Sequence, residues 1–212
     1  MSRPSRHFFT AAAAALLCLP ACTTVMESGF QEDLQSLKPG VRQLPASYDG
    51  TAFRGGGEVQ VYPTGTIVGV RGEADFGGGE MVSVRAGYNF ADREDNGNHD
   101  AERGGGPGWG FGYRHYADAD GSGWLYGGRL DLWLLDIDWR DRIGKSNRQR
   151  RGTTEATVLM PTVEGGYAFS FSNGWRLDFA LGVGAEINID ENGESVGDGA
   201  ILLGGFAFVK DF

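Results

Sequence analysis

Residues 175–189 read WRLDFALGVGAEINI, and an apolar side chain occupies every second position of this stretch. The alternate positions carry charged, polar or small residues, among them Arg176, Asp178 and Glu186. Successive side chains of a β-strand point to opposite faces, so this alternation predicts a strand with one face against an apolar medium. A helix would distribute both sets around its axis. The apolar positions are Trp175, Leu177, Phe179, Leu181, Val183, Ala185, Ile187 and Ile189.

The same period of two recurs from about residue 57 onward and predicts eight strands. Within the fifth, the apolar face changes near residues 133–135, which we interpret as a β-bulge or as the exit of the strand from a membrane. The predicted strands cover residues 57–62, 66–76, 80–91, 108–117, 124–139, 154–170, 175–189 and 200–212.

Apart from the short link 63–65, the links between these strands alternate in length. Links 77–79, 118–123 and 172–174 are short, whereas links 92–107, 140–153 and 190–199 are longer and charged. Short periplasmic turns and long extracellular loops are typical of transmembrane barrels, and an even strand count leaves no unpaired backbone edge. The sequence therefore predicts an all-β fold, an eight-stranded antiparallel up-and-down transmembrane β-barrel over residues 52–212, with both termini in the periplasm.

Composition limits the remaining possibilities. The 212 residues include 19 Lys and Arg against 28 Asp and Glu, a formal charge of −9, which argues against a nucleic-acid partner. Beyond the first 25 residues or so, no apolar run approaches the roughly 18 residues of a membrane-spanning helix. The predicted strands also sort aromatic residues into two belts, as expected at the two membrane interfaces. One belt contains Phe76, Trp124, Tyr167, Phe169, Trp175 and Phe212, and the other contains Tyr88, Phe90, Trp109 and Trp133.

Residues 1–21 have the features of a secretory signal peptide, with a basic start and an apolar run. Leu19-Pro20-Ala21-Cys22 resembles the bacterial lipobox, in which the cysteine is lipidated and becomes the first residue after cleavage. The resemblance implies lipidation of Cys22 and a tether over residues 22–51. Ordinary cleavage nearby, with Cys22 incidental, is the alternative.

The chain ends FAFVKDF, and its alternating Phe206, Phe208 and Phe212 resemble the signal that the barrel assembly machinery reads. Lys210 departs from the usual apolar residue at its position. From residue 57 onward the domain resembles the small eight-stranded outer-membrane barrels, the class of the outer membrane protein A membrane domain and the opacity proteins. The resemblance implies an outer-membrane location. Barrels of this class serve many functions, and we expect here a monomer with a structural or surface-interaction role, no enzyme activity and no cofactor.

An eight-stranded barrel is just wide enough for its own side chains to fill it. Buried charges are costly unless they pair, so we expect the inward charges to form an ion-pair network that plugs the lumen. A gated ion path through the network is the other interpretation. The predicted network residues are Arg71, Glu73, Arg85, Arg129, Asp131, Glu164, Arg176, Asp178 and Glu186.

Two other classes of protein use similar barrels. A lipid A-modifying enzyme would need a nucleophile beside a base, but the one strand histidine, His115, is followed by Ala117 where the deacylases have serine. A lipocalin-like soluble lipoprotein would place the apolar face inside to bind an apolar ligand. The glycine-rich opposite face favours a narrow filled lumen instead.

Charged links suggest contacts with the membrane surface. The basic link 140–153 is predicted to face lipopolysaccharide phosphates, through guanidinium contacts where it carries arginine. A plain solvated loop is the equal alternative. Acidic stretches such as Asp92 to Asp100 lack the spacing of an EF-hand loop, so we expect no specific metal site. The predicted lipopolysaccharide-facing residues are Arg142, Lys145, Arg148, Arg150 and Arg151.

Overall fold

The computed structural model describes residues 52–94, 97–143 and 148–212. The predicted signal peptide, the tether and Cys22 lie outside the described residues, as does Lys145. The described residues contain no helix that is long and apolar enough to cross a membrane.

Eight antiparallel strands form a closed ring in chain order, with β1 paired to β8, so the predicted barrel fold is confirmed. Every strand has two neighbours, and no sheet edge is left unpaired. The strands are β1 (Ala52–Tyr62), β2 (Gly65–Asp75), β3 (Glu80–Glu94), β4 (Ala101–Tyr116), β5 (Gly123–Ile143), β6 (Arg148–Ser170), β7 (Trp175–Asn192) and β8 (Gly199–Asp211).

The two ends of the ring differ. The start of β1, the end of β8 and links 76–79, 117–122 and 171–174 share one end, here called the terminal end. Gly77, Gly78 and Gly79 turn the chain there with φ of 85°, 65° and 85°, values that favour glycine. Links 63–64, 95–100, 144–147 and 193–198 share the other end, here called the cap end. The β5–β6 hairpin makes the wall tallest on that side.

Several strands extend beyond their predicted bounds, most clearly at the starts of β1, β4 and β6. Glycine replaces the apolar residues that would have shown the alternation at residues 55–57 and 104–106. Those glycines lie close to neighbouring strands: a Cβ on Gly56 or Gly106 would collide with a backbone carbonyl of the next strand. Glycine at these positions therefore both allows the close strand pairing and removes the apolar residues by which the sequence would have shown a strand.

Around the level of the charged lumen residues, the barrel is apolar outside and charged inside. Val70 and Leu181 on the outward face are 64% and 69% exposed, whereas Arg71, Asp131 and Asp178 on the inward face are buried. This arrangement is the reverse of the one that the lipocalin-like alternative requires.

The change of apolar face in β5 is not a β-bulge. The register of β5 with β4 and β6 is continuous through residues 133–135, and the register shift that the structure shows lies between Thr157 and Val158, in the β6–β7 pairing. Inward and outward positions alternate without interruption along β5. The outward face changes from Leu134 to Asp136, while the inward face changes from Asp131 to Trp133.

Trp133 does not belong to an outward aromatic belt, so that part of the prediction is wrong. Its side chain points into the lumen and is 1% exposed. Tyr88, Phe90 and Trp109 of the same predicted belt are outward and exposed.

Candidate functional site: the charged lumen and its cap

Five arginines and five acidic residues of the described chain form a continuous ion-pair cluster, here called the central network. Equal numbers of the two charges make it neutral when all ten groups are ionised. Several of its pairs cross the lumen, as Arg71 on β2 and Arg114 on β4 both reach Asp178 on β7. Its members are Glu58, Arg71, Glu73, Arg85, Arg114, Arg129, Asp131, Glu164, Arg176 and Asp178.

Asp178 is the most heavily contacted acid in this network. Its Oδ2 accepts from Arg71 at 2.5 Å and from Arg114 at 3.0 Å, and its Oδ1 accepts from the Arg176 Nε at 2.7 Å. The hydroxyl of Tyr116 also donates to Oδ2, at 3.0 Å. The Arg176 guanidinium lies over the Tyr116 ring, 4.5 Å from its centroid. Side chains from β2, β4 and β7 are therefore held by one carboxylate.

The predicted network residues divide between two clusters. Eight of the nine lie in the central network, and the ninth, Glu186, pairs with Arg93 at 2.9 Å nearer the cap end. Sequence reasoning missed Glu58 and Arg114. Glu58 follows three glycines in the weakest predicted strand, but Arg114 shares the phase of Gly110 and Gly112, which the alternation already places inward. The inward phase of this strand alone could have identified Arg114 as a network residue.

The lumen leaves little free space around this network. A small gap beside Arg71, Glu164 and Asp178 offers about 20 Å³ to the centres of water molecules, enough for one or two ordered waters. Toward the terminal end, Arg54 pairs with Asp75 at 3.0 Å and with Asp211 at 2.5 Å. A wider cavity of about 360 Å³ opens beside Arg54, Arg176 and Asp211 at the terminal end.

An apolar core fills the lumen between the central network and the cap end. Trp133 lies at its lower margin, with the Arg85 guanidinium 5.8 Å from its ring centroid. Val196 from the β7–β8 link contributes to the same core and is 1% exposed. The inward faces of β5 and β6 supply most of it: Trp133, Leu135, Ile137, Trp139, Ala156, Val158 and Met160.

Links 97–100 and 193–198 meet over the cap end, and we call this pair of links the cap. Glu102 holds them together, because its carboxylate accepts from the backbone N–H groups of Asn98 at 2.8 Å, His99 at 3.2 Å and Gly197 at 3.0 Å. Arg93 pairs with Glu102 at 3.2 Å and donates to the Gly197 carbonyl at 2.7 Å. Strands β4 and β8 lie four apart in the ring, so these contacts cross the opening.

The β5–β6 hairpin fastens the cap from a third side. The His99 ring stacks on Trp139 with centroids 4.2 Å apart, and its Nδ1 lies 2.9 Å from an Asp141 carboxylate oxygen. The Arg150 guanidinium also lies over the Trp139 ring, 5.3 Å from its centroid. It pairs with Glu194 of the β7–β8 link. The ends of β5 and β6 are thus tied to both links of the cap.

Asp141 is expected to stay ionised to a lower pH than an ordinary aspartate. The hydrogen bond from His99 lowers the pKa of Asp141, and the Asp100 backbone N–H adds to the effect. Because the folded pKa is the lower one, ionised Asp141 stabilises the cap above the unfolded value of about 3.9, and this contribution is lost as pH falls through the folded value. We expect the ¹³C shift of the Asp141 carboxyl, followed by NMR in detergent, to titrate with a midpoint below that of the urea-unfolded chain. Equal midpoints would contradict the assignment.

The basic stretch 140–153 is mostly strand and not loop. In the backbone register of the β5–β6 hairpin, Arg140 lies opposite Arg151 and Asp141 lies opposite Arg150. Arg140, Arg142, Arg150 and Arg151 are all exposed, and the predicted lipopolysaccharide-facing Arg150 also pairs with Glu194. The side chain of Arg148 lies outside the described residues, like Lys145.

His115 lies on the outward face near the terminal end. Its Nδ1 is 2.7 Å from a Glu80 carboxylate oxygen, and its ring is 5.0 Å from that of Tyr126. Neither contact places a serine beside His115, the pairing that the deacylase alternative requires of this histidine.

Comparison with solved structures finds other barrels. The N-terminal β-barrel domain of OprF from Pseudomonas aeruginosa gives a TM-score of 0.42 at 12% identity, over 74% of this chain and 96% of that one. Neisserial surface protein A gives a TM-score of 0.49 at 13% identity, over 76% of this chain and 97% of that one. No protein-family model and no curated protein matches the chain.

Proposed function

We propose that this chain is an outer-membrane β-barrel with a structural or surface-interaction role, whose lumen is closed by the central network and the cap. The observation that carries the proposal is the exposed apolar band around a charged interior. On β5 the outward apolar residues run from Trp124 to Leu134, which at about 3.3 Å per residue and a tilt of about 40° spans roughly 25 Å of height. That height matches the apolar band of outer-membrane barrels.

The direction of insertion follows from the two ends. The long β5 and β6 strands and their charged outward residues extend the cap end beyond the apolar band, which suits the cell surface and leaves the terminal end in the periplasm. A signal peptide over residues 1–21 and a lipid on Cys22 would place residues 22–51 at the periplasmic leaflet. Phe206 and Phe208 are exposed on the outward face of β8, and Phe212 is exposed beyond its end, where the assembly machinery could contact them.

The exposed arginines above the apolar band support a role at the cell surface. Arg140 and Arg151 lie side by side on the outward face of the hairpin, with Arg142 near them. Guanidinium groups bind phosphate oxygens in bidentate fashion, so these three residues are the proposed contacts to lipopolysaccharide phosphates. Arg150 contributes to the cap instead.

Extraction from the membrane fraction followed by gel electrophoresis tests the barrel proposal. The unboiled protein is expected to migrate differently from the boiled protein, because a closed barrel resists detergent at room temperature. The same preparation in planar bilayers is expected to show no stable conductance, because the network and the cap fill the lumen. Recovery in the aqueous fraction without a heat shift would contradict a transmembrane barrel, and steady conductance would contradict a closed lumen.

A further inference from the structure

A polar cluster lies on the outward wall at the terminal end, where the proposed membrane meets the periplasm. Glu80 is the first residue of β3, and its cross-strand neighbour His115 is in turn the neighbour of Tyr126 on β5. One oxygen of the Glu80 carboxylate accepts a hydrogen bond from the Tyr113 hydroxyl. The other oxygen lies 2.7 Å from the His115 Nδ1. These four residues are called the Glu80 cluster.

The Glu80 cluster is accessible from the lipid side. The side chains of Glu80 and His115 are 41% and 28% exposed, and both tyrosines are exposed. A carboxylate offers about four acceptor positions, so two contacts within the protein leave room for donors from outside. The outward neighbours toward the membrane centre, Val82 and Phe111, are apolar and exposed. A carboxylate at this place is costly unless a partner compensates its charge.

We propose that the Glu80 cluster binds the headgroup of a phospholipid with a primary ammonium, such as an ethanolamine phospholipid; this inference rests on the proposed membrane location. The ammonium donates to Glu80 and lies against the tyrosine rings, which attract cations. With Nδ1 engaged by Glu80, Nε2 is the ring nitrogen of His115 that remains for a contact with the lipid phosphate. The acyl chains then follow the apolar wall.

Charge and donor count select this headgroup over the alternatives. A glycerol headgroup carries no cation, so its phosphate meets the Glu80 carboxylate without compensation. A choline headgroup has a cation but no N–H donor, so it contacts the rings without bonding the carboxylate. The cluster matches a headgroup that carries both a hydrogen-bonding cation and a phosphate.

Native mass spectrometry tests the inference. The folded barrel is incubated with equimolar phosphatidylethanolamine and phosphatidylglycerol of the same acyl chains, and the ratio of the two bound lipids is measured. The wild type is expected to retain an excess of phosphatidylethanolamine, and E80Q is expected to lower the ratio about fivefold, as loss of one interfacial charge contact implies. An unchanged ratio in E80Q overturns the inference.

K210Q is the matched control. Lys210 also lies outward at the terminal end, on β8, with its ammonium 5.5 Å from the Trp175 ring centroid. K210Q removes a charge at the same end of the barrel on another part of the wall and is expected to leave the phosphatidylethanolamine excess intact. An equal loss of that excess in K210Q would overturn a specific site.

Each sample is also run unboiled and boiled, after reconstitution into vesicles. A barrel that inserts and shifts with heat but shows equal binding of both lipids overturns the inference alone. A chain that does not insert overturns the proposed function, and the inference with it.

Discussion

Replacement of Asp178 by alanine is expected to lower the free energy of unfolding by about 3–5 kcal/mol, the range for removing one partner of a buried ion pair. Arg71, Arg114 and Arg176 all contact this carboxylate, so the substitution leaves buried guanidinium groups with less compensation. It also changes the neutral central network to one with excess positive charge. Equilibrium unfolding in urea, followed by tryptophan fluorescence in lipid vesicles, measures the change.

Asp138 provides the control for this substitution. It is an exposed aspartate on the outward face of β5 above the apolar band, and its Oδ1 accepts from the Thr153 hydroxyl at 2.6 Å. D138A is expected to change the free energy of unfolding by less than about 1 kcal/mol. Equal effects of D178A and D138A would show that Asp178 is solvated and that the network does not hold the barrel together.

Replacement of Glu102 by alanine is expected to open the cap while the barrel below stays folded. The substitution removes the acceptor of three backbone N–H groups and one partner of Arg93. Loss of these contacts costs about 3 kcal/mol locally, so amide hydrogen exchange at Asn98 and Gly197 is expected to rise about a hundredfold. Exchange in the transmembrane parts of β5 and β6 should not change.

E94A is the corresponding control, because Glu94 is exposed on the outward face and pairs with Arg103 at 2.7 Å. Exposed pairs contribute about 0–1 kcal/mol, so exchange in the cap should stay at the wild-type rate. If E102A leaves exchange at Gly197 unchanged, the cap is held by other contacts than those of Glu102.

The fold could be predicted because it depends on a local property, the period of two. Alternation in residues 175–189 defines both faces of one strand, and closure of the ring needs only an even number of such strands. The ends of strands were less predictable where glycine removed the alternation, as at Gly56 and Gly106. Glycine is required there by the close approach of the neighbouring backbone, which is a property of the assembled barrel.

The site was predictable in its residues but not in its connections. The phase of each strand placed Asp178 and Arg176 inward, whereas their partners on β2 and β4 depend on the stagger between strands. The apolar core at the cap end could not be distinguished from a β-bulge for a related reason. In the sequence, apolar residues at Trp133 and Leu135 indicate that the apolar face has changed sides. A β-bulge produces this pattern, and so does a lumen that is charged at one level and apolar at the next.

Fluorescence quenching by brominated lipids tests the central claim, which is that the apolar face contacts lipid and the charged face lines the lumen. Two variants are compared, each retaining one of the five tryptophans: Trp109, 47% exposed on the outward face of β4, or Trp133, 1% exposed in the lumen. In vesicles with bromine on the acyl chains, Trp109 is expected to be strongly quenched and Trp133 to keep most of its emission. Quenching of neither, or stronger quenching of Trp133, would contradict the account.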